Sequence, residues 1–375
     1  MSREPVLRFG EKVLAVLEQG SFTATYKYAL LLAIIDALLE GTAVDGSPPQ
    51  TITTRELARK TIDLYWPQCR DFVSARGTGL LRQNTSGQAE IVTAVTRFRE
   101  GSSRTTLTHS QAAQERPAPY ELLLDRVEYK LVQMPIPRLQ RFGTAEERFI
   151  YDFNWDKLIG RRAVLREPLV ITMVPGAAEA LVQIAGLLRP LIQRQWAAMV
   201  ASVNRTLVED SQLEEFLFGI DRTSLARVRS DLTDVQDRRC FYCDHVLKGT
   251  PHVDHFIPWS RHPDNNICNL VVADSGCNGR KRDFLAAPGH LERWLDRMAD
   301  PQTTHVLSSI ASRRLWEHEP GRSIGAARAL YLRLSDDTPL WLTDNDFVSA
   351  DLRAIQGLFA RTPMPLMAAE DWGTG

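Results

Sequence analysis

The chain has 375 residues, 44% of them hydrophobic and 24% charged, with a formal net charge of −1. That is enough material for two or three domains with a sizeable core, and it excludes a disordered or low-complexity chain. It also excludes a globally basic nucleic-acid binder, so any basic footprint has to be local.

Residues 1–14, MSREPVLRFGEKVL, mix both charge signs and lack the apolar stretch and small-residue cleavage site of a signal peptide, so a cytoplasmic location is expected. The longest apolar run, residues 29–39, reads ALLLAIIDALL. A membrane helix needs about 20 apolar residues, so this run is expected to be a buried core helix, with no membrane as partner. Ser21-Phe22-Thr23 offers its start and Gly41 its end. Thr53, with Glu56 three residues on, makes a capping-box pattern for the next helix, which ends near Trp66-Pro67. Helices so spaced are compatible with a helix-turn-helix or winged-helix module, with a plain helical bundle the simpler reading.

Residues 101–119, GSSRTTLTHSQAAQERPAP, are polar and read as a linker. A strand is expected within residues 164–174 and a long helix over 177–207, kinked or split by Pro190. The spacing predicts a helix over 223–236 with Leu225, Val228, Leu232 and Val235 on one buried stripe. Further helices are expected at 291–298 and 324–334, a short strand or turn at 339–342, and a disordered end at 370–375.

Cys240, Cys243, Cys268 and Cys277 cluster, while Cys69 stands apart and reads as a buried thiol. Such clustering without a signal peptide favours metal binding over disulfides. Cys240 and Cys243 put two thiolates on one turn, half of a tetrahedral Zn²⁺ site, and Cys277 supplies part of the other half. The residue three before Cys277 is Asp274, where a second cysteine would complete the pattern. The fourth ligand is therefore Asp274, which the spacing favours, or Cys268, or a water or other residue. Residues 252–257 alternate as a strand that contains Asp254-His255 and stops at Pro258; residues 269–273 form a second strand, and 277–282 open a helix. Folded together, strand, strand and helix bring Asp254, His255, Asn269 and Asn278 to one small cleft.

In this order, residues 239–285 resemble an HNH endonuclease of the ββα-metal type: an Asp-His pair ending the first strand, an Asn before the second, and an Asn opening the helix after a Cys. Pro258-Trp259-Ser260, and Lys281 three residues after Asn278, also match. The resemblance implies that His255 is the general base, that Asp254 and Asn278 hold one Mg²⁺ or Mn²⁺, and that Asn269 orients His255. The chemistry agrees: an imidazole titrating near pH ~6.5 can take a proton from water, and a hard cation stabilises the phosphate and leaving oxygen. Arg261, Arg280, Lys281 and Arg282 are expected to touch flanking phosphates, with the helix N-terminus adding backbone donors. His252 and His262 are assigned no role, and Trp259 is expected to pack.

The expected fold is α+β and mostly α-helical, with the ββα-metal unit embedded between a large helical N-terminal region and C-terminal helices. The expected segments are 1–105 (helical), 106–215 (linker, strand and long helix), 216–288 (the nuclease unit) and 289–375 (helical). The resemblance implies metal-dependent hydrolysis of DNA, of the kind found in bacterial restriction and antiviral defence. Protein partners from such a system, or a homodimer, would then be expected. The alternative is a catalytically silent, zinc-stabilised nucleic-acid-binding or scaffolding module.

Overall fold

The computed structural model describes residues 3–19, 23–101, 108–142, 145–156, 159–208, 212–219 and 225–362. Helices dominate, and the sheets have two or three strands each. The chain divides into two compact units, Met1–Leu38 with Pro48–Ile220, and Leu39–Ser47 with Asp221–Gly375. The four expected segments divide the chain more finely than these two units. The segment Leu39–Ser47 packs with the C-terminal half because of contacts that no local pattern encodes.

The first unit contains α1 (Arg3–Gln19), α2 (Tyr26–Glu40, up to Leu38), α3 (Thr54–Tyr65), α4 (Glu90–Glu100), α5 (His109–Glu115), α6 (Pro117–Gln133), α7 (Arg161–Val164), α8 (Ala177–Val203) and α9 (Leu213–Phe218). Its sheet sets β7 (Val170–Met173) between β1 (Thr51–Thr53) and β6 (Tyr151–Asp152), all antiparallel. β2 (Asp71–Ser74) pairs with β3 (Gly77–Leu80), and β4 (Arg141–Phe142) with β5 (Ala145–Glu146).

α2 is the expected core helix: every residue from Ala29 to Leu39 is buried, and the charge inside the run, Asp36, pairs with buried Arg189 of α8. Its expected start, Ser21-Phe22, lies outside the described residues. α3 begins where the capping pattern puts it, with Thr53 Oγ1 accepting from the Glu56 N–H at 3.1 Å. Residues 41–53, which carry β1, separate α2 from α3, and the hairpin β2–β3 follows α3. The polar stretch is also more than a linker: a capping box of Thr108 and Gln111 opens α5, and Pro117 opens α6. Pro190 does not split α8. It withholds the donor that would reach Gly186, yet buried Leu188, Ile192 and Trp196 keep the helix packed across that gap. Cys69 is buried, and burial pushes its thiol up to about 12.

The second unit contains α10 (Arg229–Val235), β8 (His252–His255), β9 (Leu270–Ala273), α11 (Ser275–Lys281), α12 (Pro288–Ala299), α13 (Pro301–Arg314), α14 (Pro320–Tyr331), β10 (Pro339–Thr343), β11 (Asp346–Ser349) and α15 (Leu352–Arg361). α10 is shorter than expected because residues 226–228 form a turn; of the expected stripe Leu225, Val228 and Leu232 are buried, and Val235 is only half-buried. The expected disordered end, 370–375, lies outside the described residues. β8 and β9 pair antiparallel with Asp254 opposite Val271 and His255 opposite Leu270, and α11 follows. Every residue of β9 is buried. α12 braces the link between the strands: Trp294 stacks on Phe256 at 4.8 Å and donates from Nε1 to the Cys268 carbonyl at 3.0 Å. Arg297 donates to the carbonyls of Leu270 (2.9 Å) and Ile267 (3.3 Å). Among the described residues, no helix is long and apolar enough to cross a membrane.

Candidate active site and metal centre

The Cys240 to Cys243 turn is closed by two backbone bonds, Asp244 N–H to the Cys240 carbonyl (3.0 Å) and Cys240 N–H to the His245 carbonyl (2.9 Å). Asp244 takes a left-handed backbone (φ 60°), which aspartate tolerates better than most residues. The Gln236 side chain brackets Val272 of β9, donating to its carbonyl (2.9 Å) and accepting from its N–H (2.8 Å), and so pins the turn along β9. Asp274 follows β9 and caps α11, its Oδ1 accepting from the Cys277 N–H at 2.8 Å. Its other oxygen, Oδ2, lies 3.2 Å from Cys243 Sγ.

One ligand atom each from Cys240, Cys243, Asp274 and Cys277 all lie within 4.8 Å of one another. Three thiol sulfurs and a carboxylate oxygen in so small a space are a donor set that suits zinc. Cys268 is buried outside this set, with its thiol pushed up to about 12 by burial. Burial also pushes Cys240 up to about 11, and burial followed by the Asp274 carboxylate pushes Cys277 up. Burial pulls Asp274 upward too, but the Cys277 N–H and then the thiols hold its carboxyl well below the usual range. The set thus aims thiol protons at one carboxylate, and a divalent cation would take the place of those protons.

In β8, Asp254 turns its Oδ2 inward, where it accepts from Tyr242 Oη at 2.6 Å and lies 3.1 Å from Lys281 Nζ. Lys281 also donates to the His255 carbonyl at 2.9 Å, tying both residues of the Asp-His pair to α11. His255 Nε2 lies 2.8 Å from Asn265 Oδ1, and its ring packs tilted against Trp259. An amide oxygen only accepts, so Nε2 carries the proton and Nδ1 the lone pair. Burial lowers the His255 pKa, outweighing the Asn265 hydrogen bond that raises it, so the ring stays neutral near pH 7. Asn278 Nδ2 lies 3.1 Å from His252 Nδ1, which turns the Asn278 oxygen the other way. His252 and Asp254, two apart, share one face of β8, and α11 packs on that strand.

Asn269 does not touch the His255 ring. Its Nδ2 donates to the carbonyls of Ile257 (3.2 Å) and Asp264 (3.0 Å), and its Oδ1 accepts from the Ile257 N–H (2.8 Å). It therefore ties the loop between the strands, and the ring is held by Asn265. His252, assigned no role from sequence, meets Asn278. No feature of one sequence distinguishes Asn265 from its neighbours Asp264 and Asn266.

The loop carrying Asn265 is braced from several sides. Trp316 Nε1 donates to the Asn265 carbonyl (2.6 Å), Ser323 Oγ donates to Asp264 Oδ2 (2.6 Å), and the Ile267 N–H donates to the Glu317 carbonyl (3.1 Å). Buried His262 lies 3.3 Å from Glu40 Oε1, and Arg322 grips the Glu40 carboxylate through Nε (2.6 Å) and Nη2 (3.2 Å).

Of the four basic residues expected at the surface, Arg261, Arg280 and Arg282 are exposed, but Lys281 is fully buried. The signal was in the helix period: Lys281 stands four residues after Cys277, so it shares the inward face of that ligand. The expected N-terminal donors of α11 are partly spent as well, since the Cys277 N–H goes to Asp274.

Family models match residues 8–217 as a domain of unknown function (DUF8808) and residues 240–287 as an HNH endonuclease. No curated protein and no solved structure matches the chain. The second match spans the cysteine turn, β8, β9 and α11, which suggests that this strand-strand-helix arrangement is the ββα unit of that family. The first match covers more than half of the chain, so the protein belongs to the DUF8808 family and carries an HNH endonuclease domain at residues 240–287.

Proposed function

We propose that the second unit hydrolyses DNA phosphodiester bonds with one divalent cation, Mg²⁺ or Mn²⁺. One observation carries this reading: each chemistry-bearing side chain has one polar atom held and another turned away. His255 is held by Asn265, Asp254 by Tyr242 and Lys281, and Asn278 by His252. His255 Nδ1 accepts the proton of the attacking water, while Asn265 keeps accepting from Nε2–H as the ring becomes charged. Asp254 and Asn278 would hold the cation through their remaining oxygens. When bound, it supplies charge stabilisation to the phosphate and the departing 3′-oxygen. Asn269 keeps the loop closed behind His255, and Arg261, Arg280 and Arg282 contact flanking phosphates. Zn²⁺ on Cys240, Cys243, Asp274 and Cys277 holds the turn against β9. One such site nicks one strand, so a double-strand break takes two chains.

Nicking of supercoiled plasmid in Mg²⁺ or Mn²⁺, compared between wild type and His255→Ala, tests the reading. Cleavage by wild type alone supports it, and equal cleavage by both overturns the role of His255. A wild type that binds DNA and never cuts favours the silent scaffolding module. Restriction or antiviral defence is the setting we propose, by analogy with nucleases that join an HNH unit to a large accessory region. Phage plating on cells expressing wild type or His255→Ala tests that setting separately.

A further inference from the structure

We propose that Lys281 is a built-in counter-ion that keeps Asp254 from taking up a divalent cation until the substrate phosphate arrives. The inference rests on the reading of Asp254 as a cation ligand. The Lys281 side chain has no exposed surface. Its ammonium offers three donors and no acceptor; one reaches Asp254 Oδ2 at 3.1 Å and one the His255 carbonyl at 2.9 Å. Nζ also lies 5.7 Å from the centre of the Tyr242 ring, whose face attracts a cation. A buried ammonium is costly unless paired, and among the described residues Asp254 is the carboxylate within ion-pair distance. The pair therefore sums to zero charge.

Tyr242 adds a second donor to the same oxygen at 2.6 Å. An entering cation thus meets one oxygen of a neutralised carboxylate and the neutral amide of Asn278. Hard divalent cations are held by several oxygens, with carboxylate or phosphate supplying the charge. Here the protein withholds that charge. A phosphodiester brings what is missing. By linkage, DNA then raises cation affinity by the same factor that the cation raises DNA affinity. The centre is loaded on its substrate and empty away from it.

Mn²⁺ binding to the zinc-loaded full chain, read by electron paramagnetic resonance, tests this. Without DNA, Lys281→Met and Lys281→Gln are expected to bind Mn²⁺ about tenfold more tightly than wild type, because a like charge next to the cation is gone. Lys281→Gln keeps a donor for the His255 carbonyl, so equal gains in both variants trace the effect to charge. Affinity in the folded neutral variants that equals or falls below wild type overturns the proposal and leaves Lys281 a positioning residue. Asp254→Asn is expected to abolish binding; binding unchanged there overturns the ligand reading itself, whatever the lysine variants do. Lys281 is a core residue, so folding is checked by thermal melting. Should neither variant fold, wild type decides: Mn²⁺ affinity that rises with a cleavage-resistant duplex sustains the proposal, and affinity that does not change overturns it.

Discussion

Asn265 Oδ1 lies 2.8 Å from His255 Nε2, and this one contact decides which imidazole nitrogen carries the lone pair. Removing it lets the ring choose either tautomer and turn about its axis. A general base contributes about 10² to 10⁴ in rate, so His255→Ala is expected to lose that much of kcat. Asn265→Ala is expected to lose about tenfold or more of kcat, with KM little changed, while Asn265→Asp, which still accepts from Nε2–H, recovers most of it. The double variant His255→Ala/Asn265→Ala should be no slower than His255→Ala, because the two act as one device. Steady-state nicking rates of the four proteins check this, and fully additive losses would sink the assignment.

Asp274 does two jobs with two oxygens, and substitutions can separate them. Asp274→Asn keeps an acceptor for the Cys277 N–H but removes an anionic zinc ligand. Zinc affinity, measured by competition with a chromogenic chelator, is expected to fall while α11 stays capped. Asp274→Ala loses the cap as well and should cost about 1 kcal/mol more in thermal unfolding. Stripping the metal with chelator from wild type should lower the melting temperature, since a site of this kind contributes its binding energy to folding. Equal stability of the zinc-loaded Asn and Ala variants would show that the cap carries no weight.

Arg280, Lys281 and Arg282 are consecutive and Arg261 lies in the loop after β8, yet their burial predicts different behaviour on DNA. Arg261→Ala, Arg280→Ala and Arg282→Ala should each weaken DNA binding and lower the slope of log affinity against log salt by about 1. Arg280 also leaves an exposed ion pair with Asp344 (2.8 Å), which is worth little to stability. Lys281→Gln should leave that slope unchanged, because no phosphate can reach a fully buried ammonium. Fluorescence anisotropy with a short duplex over a salt series measures all four.

The cysteine and aspartate cluster was legible because its spacing is local: two cysteines on one turn, and an aspartate three positions before a third cysteine. The fold of the connections was legible where capping signals are strong, as at Thr53, and was missed within residues 101–119, where polar composition masked the capping box that opens α5. The basic run 280–282 looked like a surface because consecutive charges usually are, whereas a helix must turn one of three inward. Asn265 and His252 gained their roles from partners ten and 26 residues away. Glu40 was the least accessible of all, since its grip by Arg322 spans 282 residues.

That last contact makes the second unit discontinuous in sequence, and it can be tested at Gly325. A Cβ built on Gly325 would sit 1.8 Å from the Glu40 carbonyl oxygen, a backbone atom that cannot swing aside. Gly325→Ala therefore has to push Glu40 off α14, opening the ion pair with Arg322 and the contact with His262 behind the Asn265 loop. Overpacking of this kind costs about 1–3 kcal/mol, and breaking a buried pair by Glu40→Ala costs about 3–5 kcal/mol, somewhat less here because the Arg322 side chain is 20% exposed. Both variants are expected to lower the melting temperature and to slow nicking together. A fragment of residues 221–362 lacks Glu40 altogether and should be less stable than the same fragment joined to residues 39–47 by a flexible linker. Equal melting of the two fragments would mean that the segment rests on the unit without holding it.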